Sequence, residues 1–328
     1  IYVKFPTSLG TITTGLYTFY QCTSLKKVVL PTTWGSMTSL FQFFGNCVAL
    51  EDVTLPTSWG NVISVSNMFA TCTILENIVL PTNWGIVNSM SSMFASCFKL
   101  KTVNLPSTWG NGTGIQCTGM FNSCSSLTYI NLPISWGNVT NISGMFTLCK
   151  SLKTLSLPTS WGSINTLSSF LSQCKSLSNI SVPSTYNDFP NSWLGMFNEC
   201  QSLRTITNFE YLGSLTTGSS FSNILFNCAS LEQPITINAK LTKLGISGGL
   251  NALLKVNSIR LTNTASDFSG SSPQIDVSYT SLDATALNTL FGDLPTLTGK
   301  VITVKGCPGA ATCDTSIATA KGWSVTTA

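Results

Sequence analysis

The chain has 328 residues, 43% hydrophobic and only 9% charged, against roughly 25% charged in ordinary soluble domains. Its formal net charge is +4 and its 16 Lys and Arg are scattered, with no run longer than Lys26–Lys27, so there is no basic tract of the kind nucleic acid attracts. There is also no apolar run near the roughly 18 residues of a membrane span, and the absence of histidine removes every Ser-His and Cys-His catalytic pair.

Phe5–Pro6 and Leu9–Gly10 stand where Leu30–Pro31 and Trp34–Gly35 stand one unit later, so the chain starts inside a repeat. Stacked arrays need polar end caps for solubility. The expectation is that residues upstream, or other protein subunits, cover an open N-terminal end. From there nine cysteines, Cys22, Cys47, Cys72, Cys97, Cys124, Cys149, Cys174, Cys200 and Cys228, recur at intervals of 25 to 28 residues. A fixed period of this size predicts a solenoid, in which each unit buries its apolar face against its neighbours.

After each cysteine comes L-x-x-L-x-L, as in LKKVVL, LEDVTL and LKTVNL, the strand signature of a leucine-rich repeat. Leu25, Val28 and Leu30 are expected to point inward, with Lys27 and Val29 outward. Pro follows at 31, 56, 81, 106, 133, 158 and 183; lacking a donor, it ends the strand pairing. Next come Trp34, Trp59, Trp84, Trp109, Trp136 and Trp161, each followed by Gly. Six identical placements of so large a ring read as core or stacked edge rather than six ligand sites.

Leu40, Val65, Met90, Cys117, Ile142, Leu167, Trp193 and Phe221 stand seven residues before a cysteine, and pairs such as Met68–Phe69 stand four and three before. Those offsets share one face of a helix, so a helix of one to two turns is expected in each unit, with Ser66, Ser92 and Ser143 as caps. The fold class is thus α/β: a parallel strand column plus short helices, period about 25 residues, with a C-terminal cap. The array spans 1–231, degenerate repeats 232–280, and the capping segment 281–328. Residues 232–280 keep strand-like pieces at Ile235–Ile237, Ile259–Leu261 and Ile275–Val277, while Gly245–Gly249 reads as a turn and Ser266–Pro273 as a loop. In the cap, Ala284–Leu290 is expected as a helix and Val301–Val304 as a strand, and Asp314 caps a helix that Gly322 ends.

The repeated thiols read as a buried column. There is no C-x-x-C spacing among them for a metal, and stacked parallel side chains rarely give disulfide geometry. Cys307 and Cys313 differ, flanking Pro-Gly-Ala-Ala-Thr, and either close a small disulfide loop or stay free. No phosphate-binding glycine loop is present, and of the twelve carboxylates only Glu51–Asp52 adjoin, on opposite strand faces. A carboxylate pair assembled only in space is the remaining enzymatic route; the expectation is a non-enzyme without cofactor or metal. The candidate binding face is the outward strand face: Lys27, Asp52, Asn77, Thr102, Asn104, Tyr129, Asn131, Thr154 and Asn179. Its hydroxyls, amides and single aromatic suit a sugar or protein surface, and equally the solvated side of a one-sided sheet.

The string W-G-N-V-T-N-I-S-G-M-F-x-x-C-x-S-L, spanning Trp136–Leu152, resembles the BspA-like leucine-rich repeats of bacterial surface proteins. The resemblance covers 1–231 and implies an extracellular, adhesive role toward a host glycan or protein. This chain departs from it in carrying Leu-Pro and Trp-Gly after the strand. The tail, SLDATALNTLFGDL and then GKVITVKGCPGAATCDTSIATAKGW, resembles C-termini of repeat proteins of Bacteroidetes phages and their hosts. That second resemblance fits a virion or a cell surface alike; taken with the low charge and the open N-terminal end it points to a virion-surface component, a fibre or decoration, with a bacterial cell-surface adhesin as the alternative.

Overall fold

The computed structural model describes residues 1–7, 9–159, 161–184, 193–210, 219–220, 223–237, 241–243, 250, 253–262, 268–269 and 272–328. Phe221, Gly245–Gly249 and half of Ser266–Pro273 lie outside them. The chain forms two compact units, one from Ile1–Cys174 and one from Lys175–Thr185 with Phe189–Ala328.

In the first unit most of the L-x-x-L-x-L segments are three-residue strands, the one at Leu75–Leu80 contributes a single bridge, and every pairing among the described residues is parallel. Tyr2–Lys4, Lys27–Val29 and Asp52–Thr54 form one ladder, with Tyr2 beside Lys27 beside Asp52. Asn77 bridges to Thr102, and Thr102–Asn104 pairs with Tyr129–Asn131. The central residue of each strand is buried and its neighbours face out, because side chains alternate and only one face has a core to meet. A second parallel ladder runs through Thr14, Ser39, Ser64, Ser89, Gln116, Asn141 and Thr166.

The half of each unit expected as a short helix is not helical. Between Leu40 and Cys47, alternate amides leave the repeat: Leu40, Gln42, Phe44 and Asn46 donate to Ser64, Ser66, Met68 and Ala70 of the next turn, at 2.8–3.1 Å. The amides between them close local turns, Phe43 to the Leu40 carbonyl and Cys47 to the Phe44 carbonyl, both at 3.1 Å. The reason lies in residues five and one before each cysteine, which are left-handed: Gln42 (φ 51°) and Asn46 (φ 59°), Asn67 and Thr71, Ser92 and Ser96, Gly144 and Leu148. A left-handed residue every fourth position is incompatible with an α-helix. With no helix to cap, Ser66 instead pairs its hydroxyl with Ser89 at 2.7 Å. The apolar offsets do mark the core, since Leu40, Phe43, Phe44 and Cys47 are all buried.

That core is built from columns. Phe44, Phe69, Phe94, Phe121 and Phe146 stack face to face at 5.4–5.6 Å. Trp109, Trp136 and Trp161 stack likewise, while Trp84 turns edge-on to Trp109 and gives its indole N–H to the Pro81 carbonyl. Each buried Phe contributes about 2 kcal/mol by area, and an aromatic pair adds about 0.5–1.5 kcal/mol. The thiols form a third column. Cys72, Cys97, Cys124 and Cys149 donate to the carbonyls of Phe44, Phe69, Phe94 and Phe121 at 3.1–3.3 Å, reaching back one repeat. Each of these carbonyls already accepts the amide of its own repeat's cysteine. The thiol therefore fills a second acceptor site in a space sized for a small hydrophobe.

The second unit continues the same parallel pairing. Asn179–Ser181 lies beside Thr205–Thr207, Ile235–Ile237 beside Ile259–Leu261, and Ile275–Asp276, Lys300–Thr303 and Trp323–Thr326 form a three-stranded ladder. The helix Ala284–Asp293 is capped by the Asp283 carboxylate, which accepts the Ala286 amide, and it buries Leu287, Leu290 and Phe291. Asp293 at its end holds Arg260 at 2.6 and 2.9 Å and also accepts the Leu261 amide. Asp314 takes the Ser316 amide at the start of the short helix Ser316–Thr319, and Gly322 (φ 85°) supplies the turn out of it. Cys307 and Cys313 are both free. The Cys307 thiol donates to the Val277 carbonyl at 3.2 Å, as the repeat thiols do, and Cys313 sits against Ala310.

Candidate functional site

All nine face residues are exposed. Strand register gathers most of them in the first unit. Lys27, Asp52, Asn77, Thr102 and Tyr129 form one row, and Asn104 and Asn131 are direct partners in a second. Parallel strands repeat at roughly 4.8 Å, so successive rungs present their side chains about one sugar carbon–carbon span beyond contact distance. Thr154 follows in the next repeat. Asn179 belongs to the second unit, where its Oδ1 accepts the Thr205 hydroxyl at 2.6 Å.

The charged end of the row is spent internally. Lys27 meets Asp52 at 2.5 Å, and that hydrogen bond and charge raise the Lys27 pKa above its usual value. One position earlier, Lys26 pairs with Glu51 at 3.3 Å and Lys101 with Glu76 at 2.6 Å. The Lys101 ammonium lowers the Glu76 pKa from the ordinary carboxylate value. Exposed pairs of this kind are screened by water and cost side-chain freedom, so they align neighbouring repeats but add little stability.

The other end is open. Tyr129 is 51% exposed among Thr102, Asn104, Asn131 and Thr154, which supply neutral donors and acceptors. The outward face also has an apolar member expected from the alternation of the strand, Val79, which is 85% exposed beside a shallow groove of about 300 Å³ lined by Asp52–Thr57, Leu80 and Thr82. A second groove, about 250 Å³, lies where the unit lengthens to 27 residues, lined by Ser107, Thr108, Trp109, Asn111, Ser135 and Asn138. The signal for it was the extra glycines Gly112 and Gly114. At Gly112 a Cβ would stand 2.3 Å from the Val87 carbonyl oxygen, so the insertion packs directly on the preceding turn.

The buried repeat thiols are held in their protonated form, while Cys22 is exposed. Burial pushes the Cys47 pKa up to about 12 and those of Cys72, Cys97, Cys124 and Cys149 well above the ordinary thiol value. Among the described residues no group of three or more His, Cys, Asp or Glu is placed to hold a metal ion. Among the same residues no helix is long and apolar enough to cross a membrane.

The family model for the BspA type leucine rich repeat region matches residues 1–112 and 115–248 in six copies, about three-quarters of the chain. The chain belongs to the BspA-type leucine-rich repeat family. Its segment 281–328 lies outside the match. Among solved structures, the chain is similar to a leucine-rich repeat protein of T. pallidum (26% identity over 54% of this chain and 78% of that one, TM-score 0.43). It is also similar to a leucine-rich cell surface protein of Faecalibacterium prausnitzii (18% identity, 83% and 89% covered, TM-score 0.38). No curated protein matches.

Proposed function

We propose that this protein is a non-enzymatic adhesive repeat protein displayed at a surface, meeting its partner through the outward strand face around Tyr129. The observation that carries this reading is the face itself: an uncovered parallel ladder on which Thr102, Asn104, Tyr129 and Asn131 stay exposed and uncharged, with exposed Thr154 in the next repeat. A tyrosine half in water beside hydroxyls and amides presents both a flat apolar surface and hydrogen-bonding groups, the combination that binds sugars and polar protein surfaces. Membership of the BspA-type family supports display on a bacterial cell. The tail's resemblance to phage-encoded C-termini supports a virion, and labelling decides between these settings: antibody gold on cells places the chain in one, on purified particles in the other.

The binding claim has its own test. Tyr129→Ala and Asn131→Ala should each weaken capture of the protein by glycan arrays or host-matrix preparations at least fivefold, with thermal melting unchanged. Silence of the unaltered protein on both surfaces, or full binding by both variants, rejects the face.

A further inference from the structure

Carboxylates are absent from a long part of the array. Between Glu76 and Asp188 there is no Asp or Glu, yet Lys99, Lys101, Lys150 and Lys153 all fall in this stretch. All four are exposed, and they share one edge of the first unit, in the turn that leads from the cysteine into the strand. Lys101 is matched by Glu76, but Lys99, Lys150 and Lys153 have no carboxylate within ion-pair distance among the described residues.

Register places these cations against the Tyr129 face. The Thr128 amide and hydroxyl both bond the Lys101 carbonyl, at 3.0 and 3.2 Å, so Thr128 lies one rung from Lys101. Lys153 occupies the same repeat position, four residues after its cysteine, one rung further on. Lys101 and Lys153 therefore stand two rungs apart, roughly 10 Å, with Tyr129 beside the rung between them. That separation is about the length of a disaccharide. The lysines lie at the strand entry, and Thr102, Tyr129 and Thr154 follow immediately along the face.

From this placement we infer that the Tyr129 face takes an acidic polysaccharide, one whose sugars carry carboxylate or sulfate, with its anionic groups on Lys99, Lys150 and Lys153. The inference rests on the proposed strand-face function and names its ligand class. Glu76 is near both Lys99 and Lys101, but Lys150 and Lys153 have no ion-pair partner among the described residues, so the edge keeps a net positive charge. Such an edge attracts a polyanion over a distance set by the Debye length, roughly 10 Å at 0.1 M salt. The hydroxyl and amide face beside it suits pyranose rings. It lacks the successive aromatic platforms and the arginines by which single-stranded nucleic acid is held, so a polysaccharide is favoured over that other polyanion.

The test uses the full chain with immobilised polygalacturonate, chondroitin sulfate, neutral dextran and single-stranded DNA. The variants are the triple Lys99→Gln/Lys150→Gln/Lys153→Gln, a charge-matched control away from the face (Lys4→Gln/Lys26→Gln/Lys305→Gln) and Tyr129→Ala. Expected is binding to one or both acidic polysaccharides and not to dextran. It should weaken about tenfold in the patch variant, by a few-fold per lysine, weaken with rising salt, and fall less than twofold in the control. Equal binding to dextran, or an unaffected patch variant, overturns the ligand class and leaves the strand face standing if Tyr129→Ala still weakens binding. Tighter binding to DNA than to either polysaccharide overturns the carbohydrate assignment. If Tyr129→Ala and the patch variant both bind as the unaltered chain does, the strand face itself is rejected.

Discussion

Raising the pH to 10 should unfold this protein from its thiols. Cys47, Cys72, Cys97, Cys117, Cys124, Cys149 and Cys228 are buried, and burial raises the pKa of each. In the unfolded chain they return to an ordinary value near 9.0. A group whose folded pKa is raised contributes its stability below the unfolded value and loses it as pH climbs above, because the unfolded state then releases a proton the folded state retains. For a thiol still protonated when folded, the loss is about 0.4 kcal/mol at pH 9 and about 1.4 kcal/mol at pH 10. Over these seven thiols the sum reaches about 10 kcal/mol at pH 10, comparable to the whole stability of a typical fold. Urea titrations followed by circular dichroism, under a phosphine reductant from pH 7 to 10, measure it directly. The midpoint should fall steeply above pH 8.5. A Cys72→Ala/Cys97→Ala/Cys124→Ala variant should show a shallower decline by about three-sevenths. Stability that stays within about 2 kcal/mol across that range refutes the buried column.

The same burial predicts that at pH 7 an alkylating reagent labels Cys22 and Cys313, which are exposed and partly exposed, before any column cysteine, as peptide mass spectrometry would show. Phe94→Ala removes the centre of the Phe stack, between Phe69 and Phe121, and should cost about 4 kcal/mol in urea unfolding. Leu148 is held left-handed at φ 64°, so Leu148→Gly should raise the melting temperature, by about 1 kcal/mol of relieved strain. Gly112→Ala should do the reverse, since its Cβ meets the Val87 carbonyl.

The period, the strand letters and the inward positions could be read from the sequence because each rests on an invariant spacing that one-sided burial imposes. Leu25, Val28 and Leu30 had no alternative place to go. The offsets that put Leu40, Phe43, Phe44 and Cys47 on one face also identified the core, but not its backbone, since consecutive tight turns bury the same offsets as a short helix. The informative letters were the unobtrusive ones: Asn, Gln, Ser and Gly five and one residues before the cysteine, where a left-handed backbone is tolerated. Gly119, Gly144 and Gly195 all fall at the first of these positions. The face was found as a set of residues, but its division was not. That Lys27 would be spent on Asp52 while Lys150 and Lys153 stayed free depends on which repeats adjoin, and on a gap in acidic residues that no single repeat displays.

The bonding between turns also has a mechanical side. Each turn gives four amides forward to its successor, and that successor's thiol reaches back to it. Force applied along the stacking direction therefore meets one such set at a time. A protein anchored at one end and loaded at the other would lengthen in steps of one repeat, each dissipating work and each able to re-form when tension drops, while the turns still stacked kept their grip.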